Sequence, residues 1–236
     1  MANNGFGTKR NIDVVFCIDG TGSMAPCIEN VKANARRFHM EFVNEMTTTM
    51  NSEIDSMRVK VIVFRDYKDD GAQAMVESRF FEMPDDQAEF DDFLAGVSAV
   101  GGGDNPENGL EALYLAMKSD FTTQPKDRQL IVLFTDADAL PLKDPQRTSS
   151  PYYPTDMVDM AGFENTWMCI SQDSSFKLRD ALKRMVVFAP DGTAYSELAA
   201  KCNRVIYTPV NPADGMKEID FSEIIKIIAA SASARS

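Results

Sequence analysis

The chain is poor in histidine and cysteine, and this scarcity narrows the chemistry it can perform. Its 236 residues include one histidine, His39, and four cysteines. No two cysteines form a close pair with the spacing of zinc ligands, so we expect reduced thiols in a cytoplasmic protein. His39 lies in the middle of a predicted helix without acidic or nucleophilic company. We expect it to be structural, and its isolation limits Cys-His and Ser-His mechanisms.

Positive charge and long apolar runs are also scarce. Lysine and arginine number 24 against 36 aspartates and glutamates, which gives a formal net charge of −12. This balance predicts no nucleic-acid partner and no anionic membrane, because both would be repelled, and bound cations fit better. No stretch approaches the roughly 18 apolar residues of a membrane span, and residues 1–11 lack the apolar core of a signal peptide. The expected location is therefore cytoplasmic.

What the chain does contain is an alternation of apolar strand-like runs and segments of helical period. At 44% hydrophobic residues it can fill one core, so we expect a single domain over residues 1–236. The alternation predicts a three-layer, doubly wound α/β fold with a mostly parallel six-stranded sheet and one antiparallel edge strand. The first predicted strand begins at residue 13. The other predicted strands span 57–67, 78–83 (the antiparallel edge strand), 128–138, 185–189 and 205–207. The predicted helices span 25–47, 85–97, 106–120, 194–202 and 219–232.

Residues 139–175 do not fit this alternation, since about 2–6 residues usually connect a strand to its helix. The segment carries four prolines, two tyrosines and the only tryptophan. We predict an irregular loop over 140–154 and then a helix over 156–167 capped by Thr155. The aromatic residues of this insertion form a partner-binding patch or pack the insertion onto the body, and both interpretations stay open; they are Tyr152, Tyr153 and Trp167.

The first predicted strand breaks into the string Asp19-Gly-Thr21-Gly-Ser23, which places one carboxylate and two hydroxyls at alternate positions. The glycines permit a tight turn, and Pro26 suits the first turn of the following helix. In an open α/β sheet, ligands bind at the carboxyl ends of the strands. Oxygen ligands of this kind suit Mg²⁺, although such a string alone is often only a turn with a helix cap.

Two further acidic pairs are expected at the same edge of the sheet. Asp104 and Glu107 follow a run of three glycines before a helix, and Asp136 and Asp138 end the central strand. Carboxylates gathered at one point are costly unless a cation neutralises them. Hydroxyls beside few carboxylates favour Mg²⁺ or Mn²⁺ over zinc.

Taken together, these motifs resemble the metal-ion-dependent adhesion site of von Willebrand factor type A domains, in an intracellular type of member. The resemblance covers about residues 11–232, and Thr21 stands where the family usually has serine. Gly103-Asp104-Asn105-Pro106-Glu107 is similar to the second loop of integrin beta inserted domains. The resemblance implies Mg²⁺, with Mn²⁺ or Ca²⁺ as alternatives, and a second cation near Asp104. The implied metal ligands are Asp19, Thr21, Ser23, Asp104, Glu107 and Asp136.

Several of these residues have a plainer interpretation. Asp104 equally suits a helix cap, and Asp138 is expected to be a turn residue or a neighbour of a ligand. For Asp136, the resemblance itself implies that the carboxylate acts through water. For the Arg65-Asp66 pair, which closes the second strand, we expect a surface salt bridge.

The resemblance implies a binding module in which a protein partner's Asp or Glu side chain completes the metal's coordination, within an intracellular multiprotein assembly. The insertion is the candidate for partner selection. An alternative is a phosphotransferase or phosphatase that uses the Asp19-Gly-Thr-Gly-Ser loop. Cys17 disfavours it, because it stands where phosphatases of the haloacid dehalogenase type need an Asp nucleophile. A third hypothesis is an assembly protein that uses the fold without metal.

Overall fold

The computed structural model describes residues 9–102, 106–170, 175–214 and 220–234. Within these ranges, one sheet of seven strands is packed between helices. The strands are β1 (Arg10–Asp19), β2 (Ile54–Phe64), β3 (Met75–Glu77), β4 (Phe81–Met83), β5 (Arg128–Phe134), β6 (Lys183–Pro190) and β7 (Val205–Val210). The α-helices are α1 (Ala25–Thr48), α2 (Gln87–Gly96), α3 (Gly109–Met117), α4 (Pro145–Thr148), α5 (Met160–Trp167), α6 (Ala194–Lys201) and α7 (Phe221–Ser233).

The sheet has the order β3-β2-β1-β5-β6-β7, and its five long strands are parallel. The chain therefore winds outward in both directions from β1 and β5, as a doubly wound fold does. Both strands are almost entirely buried, and in β5 even Arg128 and Gln129 are covered. This architecture confirms the predicted fold class and places the carboxyl ends of β1 and β5 side by side.

The antiparallel edge is also confirmed, but it consists of two short strands, so the described sheet has seven strands and not six. β3 pairs with the end of β2, and β4 pairs with its beginning. Between them, the hydroxyl of Ser78 accepts a hydrogen bond from the Val61 amide at 2.9 Å. A side chain thus takes a place that a backbone carbonyl would hold in an unbroken strand.

The first βα unit follows the predicted pattern closely. Alternate residues of β1 reach opposite faces of the sheet, with Phe16 packed beside α1 and Cys17 in the core on the other face. The apolar stripe of α1 is buried against the sheet as predicted, apart from Val31, which is partly buried. α1, α2 and α7 cover one face, and α3, α5 and α6 cover the other.

The insertion contains more structure than expected. The loop predicted over 140–154 includes α4, whose N-cap Asp144 accepts hydrogen bonds from the Gln146 and Arg147 amides. The prediction that Thr155 caps the following helix is wrong. α5 begins at Met160, and the side chain of Asp159 accepts a hydrogen bond from the Gly162 amide at 2.8 Å.

The aromatic residues of the insertion divide between the two interpretations. Trp167 is fully buried, and its indole N–H donates to the Asn203 carbonyl at 2.9 Å. Tyr153 is also buried, whereas Tyr152 is 56% exposed. The insertion is therefore packed onto the body through Tyr153 and Trp167, and it leaves Tyr152 at the surface.

Other element boundaries shift by a few residues. β2 begins and ends three residues before the predicted 57–67, and the helix predicted over 106–120 is the shorter α3. α7 begins after Asp220, whose side chain accepts a hydrogen bond from the Ser222 amide. In the part of the chain that is described, no helix has both the length and the apolar character needed to cross a membrane.

Candidate functional site

The turn after β1 holds the carboxylate of Asp19 in a fully buried position at the carboxyl edge of the sheet. Its Oδ1 accepts a hydrogen bond from the Thr21 amide at 2.9 Å, and its Oδ2 accepts one from the Thr135 hydroxyl at 2.7 Å. Burial raises the pKa of Asp19 to about 6, although the bonds from Thr21 and Thr135 oppose this shift. The carboxylate is thus fixed in place at an energetic cost that a cation would lower.

The two hydroxyls of the first motif lie next to the carboxylate that follows β5. Ser23 donates to Oδ1 of Asp136 at 2.9 Å, and the Thr21 and Ser23 hydroxyl oxygens are 3.3 Å apart. Asp136 is only 5% exposed, and burial raises its pKa. Its Oδ2 is buried and has no hydrogen-bond partner among the residues that the structure describes. Four of the predicted ligands therefore form one continuous cluster.

Glu107 reaches the same edge from a third segment. Its amide donates to the Asp138 carbonyl at 3.0 Å and its carbonyl accepts from the Leu140 amide at 2.9 Å, so this segment pairs with the loop after β5. The side chain is buried. A Cβ atom built on Gly102 would lie 2.6 Å from Thr21 Cγ2 and 2.9 Å from Glu107 Oε1. Thr21 and Glu107 therefore converge on one glycine.

Gly102 lies directly against Thr21 of the first loop, and its backbone conformation favours glycine. Its φ angle is +73°, and the neighbouring Gly101 has a φ of +79°. L-residues with side chains rarely adopt this conformation. The Gly102 amide donates to Asp70 Oδ2 at 3.3 Å. Gly101 and Gly102 thus let the backbone pass close to Thr21 and Glu107.

Asp104 lies outside the described residues, so its ligand role, its capping role and the second cation all stay predictions. Asp138 lies in the turn after β5, as one of the interpretations expected. Its Oδ1 accepts hydrogen bonds from the Ala139 amide at 2.7 Å and from the Ala194 amide at 2.9 Å. It therefore also stabilises the start of α6, a contact between residues 56 positions apart that no sequence pattern indicates.

The expectation of a surface salt bridge at Arg65-Asp66 is wrong, because both residues are buried. Arg65 instead binds backbone carbonyls of three segments around the site. Its guanidinium donates to the carbonyls of Gly20 at 3.0 Å, Val100 at 2.8 Å, Gln73 at 2.8 Å and Ser98 at 2.7 Å. Burial lowers the pKa of Arg65, and the charges of Asp70, Asp19 and Glu107 oppose this shift. One side chain thus joins the loop after β1 to the segment of residues 98–102.

Asp66 connects the same region to the insertion. Its carboxylate is fully buried and accepts hydrogen bonds from Arg147 Nε at 2.9 and 3.1 Å, and Arg147 Nη2 also contacts it. The Asp66 amide in turn donates to Asp70 Oδ2 at 3.2 Å, the oxygen that also accepts from Gly102. The insertion is therefore anchored to the turn whose Asp70 binds Gly102.

A second buried acid lies beneath the insertion. Glu111 is fully buried, and its Oε1 accepts a hydrogen bond from the Tyr153 hydroxyl at 2.9 Å. Burial raises the pKa of Glu111 to about 7, against the effect of bonds from Asn108 and Tyr153. The helical pattern gave no signal for this residue, because an acid on the buried side of a helix interrupts the apolar stripe that identifies the core.

The donors at this edge are oxygen atoms of carboxylates and hydroxyls, which fit a hard cation such as Mg²⁺ better than zinc. Within the described ranges, no three histidine, cysteine, aspartate or glutamate side chains form a group that could hold a metal by themselves. The hydroxyls of Thr21 and Ser23 would therefore have to complete the coordination. The buried Asp136 Oδ2 without a partner fits such a cation, because it offers an oxygen that the described protein does not use.

A sequence model of the von Willebrand factor A domain matches residues 13–203, most of the chain. The chain belongs to this family. The match confirms the resemblance to von Willebrand factor A domains, while the metal-dependent site within that resemblance stays a prediction. No curated protein sequence matches this von Willebrand factor A domain at a significant level.

Solved structures show the same fold. The pilus adhesin SpaC from Lactobacillus rhamnosus GG, in its open conformation, is 12% identical with a TM-score of 0.53, over 95% of this chain and 30% of the adhesin. Another crystal structure of this adhesin is 10% identical with a TM-score of 0.55, over 95% of this chain and 31% of the adhesin. The von Willebrand factor A domain described here spans about a third of that adhesin, and at these identities the likeness shows the fold alone.

Proposed function

We propose that this von Willebrand factor A domain is a metal-dependent protein-binding module and not an enzyme. A Mg²⁺-type cation would be held at the carboxyl edge of the sheet by Asp19, Thr21, Ser23, Glu107 and Asp136. The observation that carries the proposal is the buried Asp136 Oδ2, which has no partner among the described residues and belongs to the cluster that contains Ser23, Thr21 and Asp19. When bound, the cation supplies an open coordination position for a carboxylate.

The partner's contribution would be an Asp or Glu side chain. A carboxylate that approaches this edge meets buried acidic groups, so it is attracted only when a cation neutralises them. The metal would therefore make recognition conditional, and the flanking surfaces would select the partner. The insertion is our candidate for selection, because it leaves the carboxyl end of β5 and exposes Tyr152 beside the Gly71 turn.

The enzymatic alternative has less support. Cys17 occupies the position where a phosphatase of the haloacid dehalogenase type would need its nucleophilic Asp. The thiol is fully buried on the α3 side of the sheet and donates to the Ala112 carbonyl at 3.6 Å. Its side chain lies in the apolar core on that face of the sheet. We also propose a cytoplasmic location, which the four unpaired thiols support.

Thermal unfolding with and without Mg²⁺ tests the metal. A ligand at 100 times its dissociation constant stabilises the folded state by about 2.7 kcal/mol, which for a domain of this size raises the midpoint by roughly 5–10 °C. We expect this increase in the wild type and in Asp138→Asn, which removes an acid from the same edge, and its loss in Asp136→Asn. An identical midpoint with and without saturating Mg²⁺ would contradict the proposal.

Partner capture from cells of the native host tests the second half of the proposal, the metal-dependent recognition of a protein. The immobilised domain should retain the same protein in Mg²⁺ buffer and lose it both with a chelator and in Asp136→Asn. Retention of that protein under all three conditions would show that recognition does not pass through the metal.

A further inference from the structure

The amino-terminal edge of the sheet, opposite the metal site, carries an arginine at the start of four neighbouring strands. Arg10 and Arg128 are the first residues of β1 and β5, Arg184 is the second residue of β6, and Arg204 immediately precedes β7. In the sheet these strands follow one another in the order β1, β5, β6 and β7. We call these four residues the arginine layer. Four like charges in adjacent strands repel one another unless something compensates them.

Part of the layer has a structural explanation. Arg128 donates to the carbonyls of Ala232 at 2.8 Å and Ala234 at 3.3 Å, and Arg184 donates to the Ala234 carbonyl at 2.8 Å. These oxygens lie at the C-terminal end of α7. Cations at a helix C-terminus bind its last carbonyls and interact favourably with the helix dipole. α7 therefore accounts for two of the four arginines.

Arg10 and Arg204 make weaker contacts. Arg10 Nε donates to the neutral hydroxyl of Ser52 at 3.0 Å. Arg204 reaches Asp180 at 3.5 Å, but Asp180 also binds Lys183 at 2.7 Å. Arg204 Nε is buried and has no hydrogen-bond acceptor in the described part of the chain. A buried guanidinium nitrogen without an acceptor needs an explanation, and a bound anion supplies one.

The electrostatics of the layer agree with its geometry. Burial, together with the charges of Arg10, Arg184 and Arg204, lowers the pKa of Arg128 to about 10. Burial and the charges of Arg204 and Arg10 also lower the pKa of Arg184. The cations of the layer therefore lie close enough to destabilise one another, in a chain whose net charge is −12.

We propose that the arginine layer binds a phosphoryl group. Guanidinium groups hydrogen-bond oxyanions with several donors at once. A planar carboxylate matches the fork of one arginine, whereas a tetrahedral phosphate presents oxygens in several directions to donors from several strands. The site lies at the opposite edge of the sheet from Asp19 and Asp136, so it is independent of the proposed metal.

Calorimetric titration with inorganic phosphate tests this site, in buffer without divalent cations and at an ionic strength kept constant with sodium chloride. We expect saturable binding of one phosphate per chain. Arg10→Met and Arg204→Met should each weaken it about tenfold, as expected for a lost hydrogen bond to a charged group. Neither residue binds an α7 carbonyl in the hydrogen bonds above, so both variants should fold, which circular dichroism melting checks.

Arg36→Met is the matched control, because it removes one positive charge from an exposed side chain of α1 that pairs with Asp91. It should bind phosphate as the wild type does. The absence of saturable binding in the wild type, or equal affinity in all four proteins, would overturn the proposal. A parallel titration with phosphoserine identifies the source of the phosphoryl group. Tighter binding than inorganic phosphate indicates a phosphorylated side chain, and weaker binding indicates free phosphate.

Discussion

Replacing Arg65 with methionine should both destabilise the domain and weaken its metal binding. The change removes the donor shared by the carbonyls of Gly20, Gln73, Ser98 and Val100. A buried polar group that loses its partner costs about 1–3 kcal/mol. Water replaces part of the loss at the three half-covered contacts, so we expect a total of about 3–5 kcal/mol. For a domain of this size, that lowers the thermal midpoint by roughly 6–20 °C.

The change in Mg²⁺ affinity of Arg65→Met distinguishes an electrostatic role of Arg65 from a role in positioning the loops. If its charge were all that mattered, removing a cation near Asp19 and Glu107 would tighten the binding of Mg²⁺. If it positions the loops, binding should weaken, and groups that orient metal ligands typically contribute about 10–100-fold in affinity. We expect the second outcome in Arg65→Met. Arg65→Lys, which keeps the charge but loses the planar fork, should also bind more weakly.

Manganese affinity measured by calorimetry, at a temperature where every variant is folded, provides the assay. Leu130→Ala is the control, because it removes a fully buried side chain six residues before Asp136 and should cost about 2–5 kcal/mol. This variant should melt earlier and bind metal normally. Affinity in Arg65→Met equal to or tighter than that of the wild type would refute the positioning role.

Three further predictions concern the supports of the site. Gly102→Ala should lower the free energy of unfolding by more than 1 kcal/mol in denaturant titration and weaken metal binding. The φ of +73° is strained for alanine, and its Cβ would meet Thr21. Unchanged stability of this variant would contradict the prediction. Burial raises the pKa of Glu111 from 4.5 to about 7, so the folded state favours the protonated side chain. Its contribution of about 3 kcal/mol to the free energy of unfolding is complete below pH 4.5 and is lost as the pH rises through 7. Glu111→Gln should flatten this decline in melts between pH 5 and 8, and an unchanged slope would show that Glu111 does not cause it. Arg147→Met leaves Asp66 buried without its cation, so it should lower the free energy of unfolding by about 3–5 kcal/mol and speed proteolysis within 141–157. Adding Asp66→Asn should recover part of that free energy. Additive losses would show that the two residues are not coupled.

The loop after β1 could be predicted because its signal is local. Asp19, Thr21 and Ser23 stand two residues apart directly after an apolar strand, and the structure keeps them together through short-range bonds. The sheet was predictable for a similar reason, since alternating strands and amphipathic helices admit few ways to bury their apolar faces. The gathering of Asp136 beside Ser23 then follows from the adjacency of β1 and β5.

The supports of the site could not be predicted, because they depend on contacts distant in sequence. Arg65 binds Gly20 across 45 positions, and Arg147 binds Asp66 across 81. An arginine beside an aspartate at the end of a strand looks like a surface pair until the loops that cover it are placed. The start of α5 was ambiguous for another reason, because Thr155 and Asp159 are both suitable N-cap residues. In the structure Asp159 is the cap.

Direct counting of bound Mn²⁺ by electron paramagnetic resonance tests the central claim most directly. The metal-dependent binding account predicts saturable binding to the wild type at the carboxyl edge, near-normal binding to Asp138→Asn, and binding weakened by at least about 10-fold in Asp19→Asn and Asp136→Asn, as expected when a charged ligand is removed. Equal binding to all four proteins, or none to the wild type, would contradict the account.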